Sequence, residues 1–183
     1  MRSGCRCFTQ FFGISITFCA CLCLALALST PWWYRTQANV EVGIFTLNCN
    51  EYLEGLEKAD CHHGIERLKD HPFWMLMLAT LGTATLCSFL SSVAGLFIVT
   101  CACHKAFPIT GLMNLIGTAL AISGVVYFAY LFAEDGITNT FQEIGDYIDN
   151  NSGFGYSFLI AIGASCLLLI AGIINLSVAC CRV

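Results

Sequence analysis

The stretch FGYSFLIAIGASCLLLIAGIINLSVA, residues 154–179, decides the fold class of this chain. It contains no Asp, Glu, Lys or Arg, and at about 1.5 Å per residue it can cross the roughly 30 Å hydrocarbon core of a bilayer. Residues 11–30, 73–101 and 108–133 share both properties. Only 11% of the residues are charged, whereas soluble domains carry about 25%. The sequence therefore predicts a membrane protein with four transmembrane helices.

The first apolar run has a second interpretation, because Arg2 and Arg6 precede it as they would in a signal peptide. The apolar region of a signal peptide is usually only about 7–15 residues long, and this run is longer. We therefore predict that residues 11–30 form an uncleaved transmembrane helix.

The charges of the connecting segments predict the orientation. Basic residues without acidic neighbours occur before the first span, in the 102–107 connection and in the 180–183 tail: Arg2, Arg6, Lys105 and Arg182. All twelve acidic residues lie in segments 31–72 and 134–153. An excess of Lys and Arg in short loops marks the cytoplasmic side. We expect cytosolic termini, two acidic extracellular segments and a place in the plasma membrane.

Two of the thirteen cysteines, Cys49 and Cys61, fall in a predicted extracellular segment. Oxidation persists there, so a disulfide is the expected state, and a loop of this size contributes roughly 3 kcal/mol. A reduced pair or a pair of metal ligands is the alternative. Residues 40–49 are rich in β-branched and aromatic side chains, so we predict a small antiparallel sheet joined by this disulfide.

The other cysteines divide by depth. Those inside the spans are expected to pack as small apolar residues: Cys19, Cys21, Cys23, Cys87 and Cys166. Those at the cytosolic ends of spans are candidates for palmitoylation or are free interfacial thiols: Cys5, Cys7, Cys101, Cys103, Cys180 and Cys181.

Asn150, in the second predicted extracellular segment, begins a glycosylation sequon that lies close to the fourth span, which disfavours its use. In the same segment, residues 141–148 have the spacing of a short amphipathic helix or of an extension of the third span beyond the membrane.

Signs of catalysis or transport are missing from the sequence. The strongest polar side chains in the spans are Asn114 and Asn175, which we expect to form hydrogen bonds between helices. His62 and His63 follow Cys61, but adjacent residues on a strand point to opposite faces, which is poor geometry for one metal ion. We therefore predict no enzyme activity, no cofactor and no metal.

Small residues at four-residue spacing predict close helix packing: Ser91/Gly95, Ala119/Ser123 and Ala161/Ser165.

The chain resembles the superfamily of claudins, peripheral myelin and epithelial membrane proteins and stargazin-type channel gamma subunits. The signature of that superfamily is a Trp after the first span, then Gly-Leu-Trp, then two Cys. Here Trp32 or Trp33 follows the first span, and Gly43-Ile44-Phe45 stands in place of Gly-Leu-Trp before Cys49 and Cys61. Residues 155–158, Gly-Tyr-Ser-Phe, are also similar to the family. The resemblance implies a left-handed four-helix bundle beneath an extracellular sheet, in which the Trp and Gly-Ile-Phe residues pack the sheet on the bundle.

The resemblance also implies function through protein contact, which leaves two hypotheses. In the first, the chain is a claudin-like junction or adhesion protein whose extracellular segments meet neighbouring copies. Its candidate contact surface is acidic: Glu51, Glu54, Glu57 and Asp60. In the second, it is an auxiliary subunit that binds a larger channel or receptor. Both require membrane lipids and other membrane proteins as partners and neither involves nucleic acid.

Overall fold

A computed structural model describes residues 2–35, 41–45, 47–48, 72–100, 107–133 and 153–180. Four helices account for most of these residues: α1 (Arg2–Ser29), α2 (Pro72–Thr100), α3 (Phe107–Ala133) and α4 (Tyr156–Cys180). Each is long and apolar enough to cross a membrane. The predicted set of four membrane-compatible helices is therefore confirmed.

The helices form a ring in which α1 packs against α2 and α4, and α3 packs against the same two helices. The bounds of α2 and α3 agree closely with the predicted spans. The first helix begins at Arg2 rather than at residue 11, because backbone hydrogen bonding continues beyond the apolar run. The fourth begins at Tyr156 rather than at residue 154, because Gly153 and Phe154 form a strand.

Four strands of two residues each lie at one end of the bundle: β1 (Tyr34–Arg35), β2 (Glu41–Val42), β3 (Leu47–Asn48) and β4 (Gly153–Phe154). They pair in the order β3-β2-β1-β4, and every pairing is antiparallel. We call this end of the bundle the ladder end and the opposite one the far end. Most of segment 31–72 lies outside the described residues, as do residues 141–148 with their predicted helix. The small extracellular sheet joined by a disulfide between Cys49 and Cys61 therefore stays a prediction.

The interior of the bundle changes character along its length. At the ladder end the buried side chains are large and apolar: Trp33, Ile44, Trp74, Met77, Leu81, Val125, Phe128 and Phe158. The middle layer consists of small residues and leucines: Ala20, Leu24, Ala84, Ala121, Ala164 and Leu168. In the far half, many of the buried side chains are polar: Gln10, Thr17, Ser88, Ser91, Ser92, Thr110, Asn114, Thr118 and Asn175. Apolar packing is thus concentrated toward the ladder end.

Asn114 joins α3 to α1, as predicted. Its Nδ2 donates a hydrogen bond of 2.8 Å to Thr17 Oγ1, and the Thr17 hydroxyl donates to the Gly13 carbonyl in its own helix at 2.9 Å. Asn175 on α4 is also buried, and its amide packs against Gly13. Both asparagines therefore contact the same turn of α1, and the hydrogen bonding predicted between helices is confirmed for Asn114.

The small-residue pairs have different roles. Ser91 donates to the Thr110 carbonyl across the α2–α3 interface at 3.1 Å, and both Ala161 and Ser165 are buried in the ring. The pair on α3 does not fit the prediction, since Ala119 is exposed and Ser123 donates to the Ala119 carbonyl of its own helix. The buried small residues on α3 lie elsewhere on the helix, at Gly117, Ala121 and Gly124 among others. Four-residue spacing finds small residues on one face but does not identify the face that is buried.

The cysteines in the spans divide in the same way. Cys21 is buried and its thiol lies 3.8 Å from the Thr85 carbonyl of α2, consistent with the predicted packing role. Cys23 and Cys87 are partly buried. Cys19 and Cys166 are exposed on the outside of the ring, so the packing prediction is wrong for these two.

Gly13 allows α1 to approach α4, which leads to a prediction. A methyl group at this position would overlap Asn175 Oδ1, which is buried, so the amide would have to move within the packed interior. Gly13→Ala is expected to lower the free energy of unfolding by about 1–3 kcal/mol, the usual cost of overpacking. Thermal unfolding of the purified chain in detergent measures this change.

Gly163 on α4 provides the matched control, because no described atom of another helix lies within 4 Å of a methyl group placed there. Gly163→Ala should leave stability unchanged or raise it by up to ~1 kcal/mol through helix propensity. Equal effects of the two substitutions would show that α1 and α4 do not approach each other through Gly13.

Candidate interaction surface at the ladder end

Trp33 anchors the ladder end of the bundle. Its side chain is 0% exposed, and its ring centroid lies 4.9 Å from that of Phe128 and 6.3 Å from that of Phe158. The indole Nε1 donates a hydrogen bond of 2.5 Å to the Ala27 carbonyl, near the end of α1. A buried tryptophan needs a partner for its N–H, and this carbonyl supplies it. The chain leaving α1 is therefore held against α3 and α4.

The segment Gly43-Ile44-Phe45 meets the same cluster through one side chain. Ile44 is buried and belongs to the apolar cluster that contains Trp33, and Gly43 is buried beside it. Phe45 differs, since 55% of its surface is exposed. The packing expected from the family resemblance is therefore seen for Gly43 and Ile44 but not for Phe45. Of the two tryptophans that could fill the family position, Trp33 is the buried one.

The return of the chain into α4 closes this end. Gly155 N donates to the Trp33 carbonyl at 2.8 Å, and Ser157 N donates to the Trp32 carbonyl at 2.9 Å. The hydroxyl groups of Thr30 and Ser157 share a further hydrogen bond of 2.6 Å. Because β1 also pairs with β4, the start of the first long connecting segment (31–72) and the end of the second (134–153) belong to one hydrogen-bonded frame.

In the part of this frame that the structure describes, four aromatic side chains are exposed, and we call them the exposed aromatic set: Trp32 (47%), Phe45 (55%), Phe154 (45%) and Tyr156 (73%). Two of them are also held in place. The Trp32 Nε1 donates to Glu41 Oε2 at 2.8 Å, and the Phe154 ring stacks on Phe158 at a centroid distance of 4.3 Å. Large aromatic surfaces with fixed positions are typical of membrane–water interfaces and of protein contact sites.

Glu41 was not among the predicted contact residues, although it is the one acidic side chain in the part of the chain that the structure describes. Its role depends on a hydrogen bond from a tryptophan nine residues earlier in the chain. No local pattern in the sequence indicates such a pairing. The ring contact of Phe154 with Phe158 likewise depends on the turn from β4 into α4 and could not be predicted from spacing.

The remaining predicted sites cannot be placed. Outside the described residues lie Cys49, Cys61, Glu51, Glu54, Glu57, Asp60, Asn150, Cys101, Cys103 and Cys181. Cys5 and Cys7 belong to α1 and Cys180 ends α4, but their side chains are not described. Within the described ranges, no three His, Cys, Asp or Glu side chains come together as a metal site would require.

No protein-family model matches the sequence, and no curated protein is significantly similar to it. The resemblance to the claudin superfamily therefore depends on the residues quoted above.

Proposed function

We propose that this chain is a claudin-like protein of the plasma membrane that acts through contacts of its extracellular segments with neighbouring proteins at cell junctions. The proposed activity needs no catalytic group and no cofactor. Its partners are other membrane proteins, including further copies of the same chain.

The observation that carries this proposal is the rigid frame at the ladder end. Trp33 is enclosed by aromatic rings and hydrogen-bonded to the end of α1, while its neighbour Trp32 is exposed and hydrogen-bonded to Glu41. A frame of this kind holds the start of the first long segment and the end of the second in one orientation. Preorganised surfaces lose less entropy on binding, which favours a role in recognition.

The chemistry of the surface supports the same proposal. Buried aromatic anchors dominate the binding energy of many protein interfaces, and the exposed aromatic set supplies four candidates. Both long segments are acidic, with Glu51, Glu54, Glu57 and Asp60 in the first. Such a surface attracts basic partner surfaces and cations.

A second candidate function is that of an auxiliary subunit of an ion channel or receptor. The observation that favours it is the outward position of small residues on the ring. Gly82 on α2 and Gly163 on α4 have no atom near the place of a side chain, and Ala119 on α3 is exposed. Small residues on a lipid-facing surface allow a partner helix to approach closely.

Mosaic expression distinguishes the two. A fluorescently tagged full chain is expressed in part of a cell layer that otherwise lacks it. We expect enrichment at borders between two expressing cells, compared with borders where one cell expresses. The variant Phe45→Ala/Tyr156→Ala should lose this enrichment while still reaching the surface, as measured by surface biotinylation, because two exposed aromatic anchors are removed.

Phe97→Ala serves as the control, since Phe97 is also an exposed aromatic residue but lies on α2 toward the far end. It should retain the enrichment. A uniform membrane signal from the unchanged chain would refute the adhesion proposal. Co-purification of a channel or receptor with the chain in mild detergent would then support the auxiliary-subunit function, if Gly163→Leu reduces the amount of partner recovered.

A further inference from the structure

The strongest feature outside the ladder end is the polar interior of the far half. Asn114 on α3 and Asn175 on α4 are both almost completely buried. They meet α1 at Thr17 and Gly13, which are one helical turn apart on the same face. The two amides therefore converge on one turn of α1 from neighbouring helices.

Each amide leaves one oxygen unsatisfied. The Nδ2 of Asn114 donates its hydrogen bond to Thr17 Oγ1. The Thr17 hydroxyl donates its own hydrogen to the Gly13 carbonyl, so it cannot donate to an asparagine oxygen. Neither Asn114 Oδ1 nor Asn175 Oδ1 receives a hydrogen bond in the described part of the chain, and both atoms are buried. A buried acceptor without a donor costs free energy, so each such oxygen requires an explanation.

The chemistry of the site selects the missing partner. Both unsatisfied atoms are neutral oxygens, so the partner is either a hydrogen-bond donor or a cation. The four apolar runs contain no Asp or Glu, and a cation in this low-dielectric interior would have no opposite charge. A small neutral donor is left, and water is the one that the polar surroundings favour.

We propose that the far half of the bundle binds an ordered water molecule between α1, α3 and α4. Its two O–H groups donate to Asn114 Oδ1 and Asn175 Oδ1. The χ2 torsion of asparagine has broad minima, so both amides can turn toward a shared donor without leaving their rotamers. The far half is then held by a hydrated polar network, whereas the ladder end is held by aromatic packing.

A direct test is an experimental structure of the full chain in lipid or detergent at about 2 Å, where ordered waters become visible. The proposal predicts density within hydrogen-bond distance of both oxygens. It is overturned if both oxygens face only carbon atoms, or if the density shows a coordinated metal ion.

A thermodynamic test uses Asn114→Leu, Asn175→Leu and the double variant. A shared water predicts that each single substitution lowers the melting temperature by roughly 2–4 °C. It also predicts that the melting temperature of the double variant falls by clearly less than the sum of the two single-variant decreases. The reason is that the second substitution removes an oxygen that has already lost its donor.

Ser165→Ala is the control, because the Ser165 hydroxyl is satisfied by the Ala161 carbonyl of its own helix at 2.8 Å. It should change the melting temperature less than either asparagine substitution. An increased melting temperature for Asn175→Leu would show that Asn175 Oδ1 has no hydrogen-bond donor. Additive shifts in the double variant would show that the two amides do not share a water molecule. Either result would overturn the proposal.

Discussion

Trp33→Ala is expected to lower the free energy of unfolding by about 3–5 kcal/mol, the usual cost of removing a large buried aromatic side chain. The substitution empties the space between Phe128 and Phe158 and removes the Trp33 hydrogen bond to the Ala27 carbonyl, which keeps the longer bond from Thr30 Oγ1 at 3.4 Å. The melting temperature of the purified chain in detergent measures this loss. In cells, the same variant should be retained inside instead of reaching the surface, because a loss of this size raises the unfolded fraction strongly.

Trp32→Ala is the matched control, since it removes the same side chain from the adjacent position. Trp32 is about half exposed, and its hydrogen bond to Glu41 lies at the surface. The expected loss is within about 1 kcal/mol. If both alanine variants were equally unstable, Trp33 would not be the anchor of the ladder end. Trp33→Phe should fall between the two variants, because it keeps most of the ring volume but cannot donate to Ala27.

Gly155→Val is expected to have the second largest effect. A side chain at this position would overlap the backbone carbonyl of Trp32, which cannot turn aside as a flexible side chain could. The same region holds the bonds from Gly155 N to Trp33 and from Ser157 N to Trp32. We expect a loss of about 3 kcal/mol or more, at the upper end of the range for overpacking. The pairing of β1 with β4 should be disrupted along with it.

Gly153 is the control for this prediction, because it lies two residues away in β4, yet among the described residues no atom of another segment lies within 4 Å of a side-chain position there. Gly153→Val should be tolerated within about 0.5 kcal/mol, as surface substitutions usually are. Surface delivery and thermal unfolding of the two variants can be measured side by side. A tolerated Gly155→Val would contradict the close approach of β4 to the end of α1.

The two glycines show why the ladder end could be predicted only in part. The run Gly155-Tyr156-Ser157-Phe158 could be recognised in the sequence as similar to a family motif. The need for a glycine at position 155, however, comes from the Trp32 carbonyl, which is distant in sequence, occupies the place of a side chain and accepts a hydrogen bond from Ser157 N. Gly153 carries no such constraint, although it is the same residue type in nearly the same place. A motif identifies residues of interest but not the atoms they avoid or contact.

The number of membrane-compatible helices and their approximate bounds follow from the sequence alone. Length and the exclusion of charge from an apolar run are local properties, and in a bilayer a run of that kind has to satisfy its backbone hydrogen bonds within itself. The same locality explains why α2 and α3 agree so closely with the predicted spans. The candidate cross-helix role of Asn114 could also be predicted, because Asn114 and Asn175 have the strongest polar side chains in the spans.

Only the tertiary structure decided which face of each helix is buried. The spans are apolar all round, so hydrophobicity does not distinguish lipid from protein, and lipid tails are as apolar as leucine. For this reason the small pair Ala119/Ser123 could be found but was assigned to the wrong face. For the same reason the sequence could not show which of Trp32 and Trp33 is the buried anchor. Two adjacent tryptophans differ only in what surrounds them in the folded chain.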